Sequence, residues 1–216
     1  MVSDAPAPPK DEAFASLADA HDGHGFLVIV SGPSGVGKSS LVNAALPRLE
    51  AELSISMTTR SKRPGDVDGQ HYHFVDRGAF EALIKDEAFL EWAEVYGNYY
   101  GTRRAFVQRH LEQGRLVVLE IDVEGAKQVK AKLPDAFAVF ILAPDEDALL
   151  ERLRGRKQDD EATIQKRFAQ AKDEIARAQA SGVYGKFIVN DTFDRAADEL
   201  VSEIEQERTR RKSQPC

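Results

Sequence analysis

FLVIVSGPSGVGKS, residues 26–39, decides the fold. Its first five residues form a continuous apolar run, the pattern of a strand buried on both faces. Its last eight, Gly32 to Ser39, fill every fixed position of G-x-x-x-x-G-K-[ST]. The next segment, KSSLVNAALPRL, reads as a helix that ends near Pro47. Strand, glycine loop and helix make the first half of a βαβ unit. Such a loop turns successive backbone N–H groups inward around phosphate oxygens. The following helix points its positive end at the same anion. Gly32, Pro33, Ser34, Gly35, Val36, Gly37, Lys38, Ser39 and Ser40 are therefore candidate ATP-binding residues. Lys38 is placed to reach the β- and γ-phosphates, and the Ser39 hydroxyl to ligate the Mg²⁺ that accompanies ATP. The loop does not say what receives the phosphate, because pumps, GTPases and kinases all use it.

Working outward, similar apolar runs return at RLVVLEID (115–122), AFAVFIL (136–142) and KFIVND (186–191). Helical stretches lie between and after them. TIQKRFAQAKDEIARAQA sets Ile164, Phe168, Ala171 and Ile175 on one face, with Ser181-Gly182 as its stop. DRAADELVSEIEQE makes a final amphipathic helix. Strands alternating with helices imply an α/β fold, a parallel sheet covered on both sides. Residues 54–103 break the rhythm with short aromatic and polar segments around one helix, and read as a small inserted sheet. RLRGRKQDDEAT is an arginine-rich irregular stretch between two helices, with the composition of a mobile lid. Residues 1–24 read as a disordered tail, in which His21 and His24 lack further metal ligands.

The whole chain bounds the function classes. It has 216 residues, 42% of them hydrophobic and 30% charged, with formal net charge −7. That acidity argues against general nucleic-acid affinity. No apolar run approaches the ~20 residues of a membrane span. One cysteine, Cys216, cannot form an internal disulfide, which with the lack of a secretory signal gives a cytoplasmic expectation. Against that acidic total, TTRSKRPGDVDGQHYHF (58–74) concentrates Arg60, Lys62 and Arg63 near Tyr72.

These segments carry a resemblance. SISMTTRSKRPGDVDGQHYHF, FLEWAEVYGNYYGT, LEIDVEG, ERLRGRKQDDEATIQKR and IVND resemble, in order and spacing, the motif series of the guanylate kinases, from Gly25 to about residue 208. The resemblance implies transfer of a phosphoryl group from ATP to GMP. It implies a P-loop core of three layers (25–53, 104–145 and 169–208), a mixed-sheet insert for the monophosphate (54–103) and a helical lid (146–168), followed by a C-terminal tail at 209–216. The GMP site would fall on Ser56, Arg60, Arg63, Tyr72, Glu91, Tyr100, Thr102, Glu120 and Asp122. The lid and triphosphate arginines would be Arg152, Arg156 and Arg167, which with Lys38 and Arg60 form the catalytic set. Asn190 would join the ATP site. Small-molecule substrates are the implied partners, without nucleic acid or membrane, and the family includes both monomers and larger assemblies.

The chemistry suits those residue types. Two arginines and two tyrosine hydroxyls can surround a phosphate dianion with charge-assisted hydrogen bonds. Tyr72 alternates with His71 and His73, so on a strand it faces the site while they face away. Guanine offers donors at N1 and N2 and an acceptor at O6. Glu91 can accept from the donors, and Ser56 or Thr102 can donate to O6. Trp92 reads as core, and His71, His73 and His110 as structural. Lys157 replaces a glycine common after the lid GR. Three rivals remain: a non-catalytic guanylate-kinase-like binding domain, a sugar-phosphate kinase on the same core, and a GTPase. The intact loop opposes the first, the guanine-reading set the second, and the missing N/T-K-x-D signature the third.

Overall fold

The computed structural model describes residues 25–95, 97–155 and 160–213. The expected tail at 1–24, with His21 and His24, lies outside the described residues, as do Arg156, Lys157 and Cys216.

The apolar run after Gly25 forms β1 (Phe26–Ser31), buried at every residue. It is the middle strand of a five-stranded parallel sheet with β2 (Glu52–Ser54), β7 (Leu116–Glu120), β8 (Phe137–Leu142) and β9 (Lys186–Val189). The order is β2-β7-β1-β8-β9, with Leu27 opposite Val117 and Val30 opposite Val139. Alternation along β1 separates two cores, as the period of a strand requires. Val28 and Val30 pack with Leu41, Val42 and Ala45 of α1 (Lys38–Leu49) and Leu200 and Ile204 of α7 (Phe193–Lys212). Leu27 and Ile29 pack with Val107 and Leu111 of α3 (Arg104–Glu112) and Val123, Ala126 and Val129 of α4 (Val123–Lys132). The result is a three-layer core. The phosphate loop and the ends of β7 and β9 lie together at the carboxyl edge of the sheet, where α/β proteins place ligands.

The inserted region forms a second, mixed sheet. β3 (Met57–Thr58), β4 (His73–Phe74), β5 (Phe89–Val95) and β6 (Asn98–Arg103) take the order β4-β3-β6-β5, with β3 and β4 parallel and the other pairs antiparallel. Met57, Phe80 and Phe89 form its own core, with Phe80 of α2 (Arg77–Lys85) stacked between Phe89 and Tyr99. Two further helices follow β8: α5 (Glu146–Gly155) and α6 (Glu161–Ala180). No helix among the described residues is long and apolar enough to cross a membrane.

Five expectations are corrected. α1 continues past Pro47 to Leu49. Pro47 and Asn43, whose carbonyl loses its helical donor, are both exposed, while Leu49 is buried and draws the last turn in. The fifth core strand, β2, is only three residues long and escapes periodicity. The irregular stretch between α5 and α6 is shorter than its composition suggested, because 152–155 and 161–163 are helical. α7 runs beyond 208 to Lys212, since Arg210 and Arg211 both bond Glu207 and the Arg211 guanidinium covers the Phe26 ring. Trp92 is not core: it is 38% exposed and meets Tyr99 edge-on.

Candidate functional site

The phosphate loop is held from beneath. Gly37 precedes α1 with φ 86°, a conformation favourable to glycine. A Cβ there would also lie 2.7 Å from Asn190 Nδ2. Asn190, buried just after β9, donates that amide to the Val36 carbonyl at 2.7 Å. Arg152 of α5 donates to the Asn190 carbonyl at 2.8 Å and approaches the Val36 carbonyl at 3.5 Å. Asn190 and Arg152 thus both meet the loop through its backbone. Lys38 donates to the Gly32 carbonyl at 2.8 Å, bracing its ammonium across the loop. The exposed Ser39 donates its hydroxyl to Glu120 Oε1 at 2.6 Å. This puts Glu120, expected at the GMP site, against the phosphate loop.

Across from the loop stands a basic and aromatic cluster. The Arg60 guanidinium lies 5.3 Å from the Tyr72 ring centroid, and Tyr72 meets Tyr100 edge-on at 5.7 Å. His71 and His73 are exposed while Tyr72 is half-buried, as alternation required. Burial pushes the Tyr72 phenol up, with Tyr100 and Glu120 acting the same way and Arg60 and Arg63 opposing. Glu120 therefore acts on both Ser39 and Tyr72, which puts the loop and the cluster within electrostatic reach of one carboxylate. Arg60 is already paired: Asp66 Oδ2 accepts from it at 2.9 Å and from the Arg63 backbone N–H at 2.7 Å. Asp66 organises the basic loop, a role the sequence reading missed.

Glu91, 4% exposed on β5, accepts from the Thr102 hydroxyl at 2.6 Å. Burial pushes its carboxyl up to about 7; Asp122 adds to the rise, while the Thr102 bond and Lys132 oppose it. Thr102 has one O–H proton and spends it on Glu91, so of the two expected donors to O6 Ser56 is the one left. Ser56 is half-buried beside β3. Asp122 caps α4, accepting from the Gly125 N–H at 2.8 Å. Gly125 faces Glu91 directly, for a Cβ there would lie 2.8 Å from Glu91 Oε2. A side chain at that position would have to move the carboxylate.

Two more groups complete the surroundings. Arg167 is half-buried on α6. Glu174, seven residues on and so on the same helical face, was not anticipated. Burial raises its carboxyl; Lys38 opposes the rise and Asp122 adds to it. Glu174 on α6 thus lies within electrostatic reach of the loop lysine. No sequence signal marks it, since it looks like any acid on an amphipathic helix. The arrangement is suited to holding two polyanions face to face, one on the loop and one on the Arg60–Tyr72–Tyr100 cluster, with a ring edge turned to Glu91.

Comparison with known proteins gives the family and the fold. The family model described as guanylate kinase matches residues 25–207. The chain is 51% identical over 186 residues to the guanylate kinase of Shewanella sp. (strain MR-7), covering 85% of this chain and 88% of the relative. It is 47% identical over 195 residues to that of Vibrio vulnificus (strain YJ016), covering 89% and 93%. The crystal structure of guanylate kinase from Anaplasma phagocytophilum superposes with TM-score 0.68 at 29% identity, covering 86% of this chain and 87% of that one.

Proposed function

The chain belongs to the guanylate kinase family, and from that premise we propose how its residues divide the transfer of the γ-phosphoryl group of ATP to GMP. The attacking group is already an anionic phosphate oxygen, so no general base is needed. The difficulty is repulsion between two phosphates, and catalysis is positioning with charge neutralisation. In this reading the loop 32–40 cradles ATP, and Lys38 neutralises its terminal phosphates. Asn190 supports the loop through Val36 with one amide hydrogen, and from that position it joins the ATP site. Arg60, Arg63, Tyr72 and Tyr100 hold the GMP phosphate. Arg152 and Arg167, with Arg156, bring further positive charge to the phosphates.

The observation that carries base selection is the buried Glu91–Thr102 pair backed by Gly125. An ionised Glu91 accepts from guanine N1–H and N2–H, and Ser56 donates to O6. Adenine lacks the N1 proton and presents an amine where O6 would be. It leaves a buried carboxylate unpaired, a mismatch that can discriminate by about 10⁴. Ser39 and Glu120 offer hard oxygen donors, the kind that fit Mg²⁺ beside phosphate oxygens. Among the described residues no cluster of three or more His, Cys, Asp or Glu forms a cage, so these two would hold the ion together with ATP. When bound, Mg²⁺ supplies charge neutralisation at the β- and γ-phosphates.

An ADP-release assay with ATP and Mg²⁺, offering GMP, AMP, UMP and ribose bisphosphate in parallel, tests the assignment. Turnover is expected with GMP and little with AMP. Equal turnover with AMP would overturn the role of Glu91, and turnover with ribose bisphosphate alone would overturn the acceptor.

A further inference from the structure

β5 ends the second sheet, so among the described residues one edge of it has no neighbouring strand. A free edge leaves backbone donors and acceptors unpaired. Here one face of α4 meets them. Gln128 accepts from the Trp92 N–H at 3.2 Å and donates to the Trp92 carbonyl at 2.9 Å. Lys132 donates to the Leu90 carbonyl at 2.6 Å. Gly125, Gln128 and Lys132 follow helical spacing, and Gly125 is the residue against the Glu91 carboxylate. Glu91 is therefore bracketed by bonds from the core helix on both sides. On its other edge β5 pairs with β6, Glu91 opposite Thr102, and the ladder shifts register just before it, between Phe89 and Glu91. A bulge re-aims side chains and leaves a residue unpaired.

We propose that Gln128 is a positioning residue for base specificity: its side-chain amide substitutes for a neighbouring strand at Trp92 and so sets where the Glu91 carboxylate meets the guanine edge. Glutamine suits the task chemically. Its amide carries an acceptor for the N–H and a donor for the carbonyl of one residue, which neither a carboxylate nor a thioether of similar length provides. The inference rests on the reading that Glu91 contacts guanine, and the experiment separates the two.

Gln128→Met removes both bonds at nearly constant shape; Gln128→Glu keeps only an acceptor. Steady-state kinetics with GMP, with inosine monophosphate (which lacks the 2-amino group) and with ATP give the readout, alongside thermal melting. Gln128→Met is expected to raise KM for GMP about tenfold and to lower the GMP-to-inosine-monophosphate ratio of kcat/KM at least about fivefold, the scale of two lost hydrogen bonds. KM for ATP should stay within about twofold. Gln128→Glu is expected to fall between, and decides the matter if the methionine variant does not fold. A lowered melting point with the base ratio unchanged would make Gln128 a packing residue and overturn the inference, as would unchanged kinetics. Glu91→Gln is the control. If it leaves the base ratio intact, the guanine reading itself fails and takes the role of Gln128 with it; if it collapses the ratio while Gln128→Met does not, only the present inference fails.

Discussion

Replacing Glu91 by Gln should make the ligand-free protein more stable at neutral pH. Burial, aided by Asp122, lifts the Glu91 carboxyl from 4.5 to about 7 against the Thr102 bond and Lys132. The folded protein keeps this proton up to about pH 7, whereas the unfolded chain gives it up near 4.5. Between those values the native state holds the extra proton, so stability falls as pH rises. A tenfold change in proton affinity corresponds to about 1.4 kcal/mol, which makes the full window worth about 3 kcal/mol. Glutamine does not titrate, still accepts from Thr102 through its carbonyl, and turns an N–H₂ toward the Asp122 side. The gain over wild type should be small at about pH 4.5 and grow to about 2–3 kcal/mol above about pH 7.5, or about 5–10 °C in melting temperature for a chain of this size. Urea unfolding followed by circular dichroism from about pH 4.5 to 8.5, without nucleotide, measures it. A variant no more stable than wild type at about pH 8, or a difference that does not change with pH, would refute the argument. The same substitution should weaken GMP, because the carboxylate that is costly to bury is the one proposed to accept from guanine.

Lys38→Met should lower turnover by about 10²–10³, the scale of losing one charge-stabilising donor, with an unchanged circular dichroism spectrum. Near wild-type phosphoryl transfer would show that the loop lysine has no part in the reaction. Asn190→Ala removes the bond to the Val36 carbonyl and leaves a buried acceptor short of a donor, at about 1–3 kcal/mol. KM for ATP should rise about tenfold while KM for GMP stays within about twofold; equal changes in both would count against a local support of the loop. Gly125→Ala should raise KM for GMP by displacing Glu91 Oε2, while α4 gains up to about 1 kcal/mol in helix propensity. Loss of stability together with unaltered GMP kinetics would contradict that geometry.

What could be read from the chain depended on how local the physics was. The phosphate loop is legible because strand, glycines, Lys38 and helix are contiguous, and each constrains the next. The Tyr72 orientation is legible because alternation needs only its immediate neighbours. Asn190 acts on Val36 from 154 positions away, and Gln128 on Trp92 from 36. Neither pairing leaves a trace in spacing, since an amide bonded to a backbone group requires nothing particular of its partner's side chain. Trp92 was misassigned for a related reason. Its size and apolar neighbours suggest core, but β5 is an edge strand whose outer half faces solvent, and edge position is a property of the sheet. Asp66 lay inside the basic motif and was still missed, because its partners are fixed by the turn at residues 63–66 and not by charge composition.

A site for two polyanions nevertheless contains several carboxylates, and the hydrogen bonds explain how these coexist with phosphate. Four of them are committed to a donor of the protein: Asp66 to Arg60 and the Arg63 N–H, Asp122 to the Gly125 N–H, Glu91 to Thr102, Glu120 to Ser39. A carboxylate so oriented fixes the group that donates to it, and here the fixed group matters most at Ser39. Its hydroxyl proton points to Glu120, which leaves the oxygen lone pairs free for a cation. Without that acceptor the proton could point to a phosphate oxygen instead, and the serine would offer a donor where the proposed Mg²⁺ contact requires an acceptor. At Glu91 the bond from Thr102 works against the desolvation that keeps the carboxyl protonated. It lowers the cost of the ionised form that guanine requires. The acids therefore do not dilute the positive field of the site; they set the direction in which each hydroxyl and guanidinium presents itself before substrate arrives.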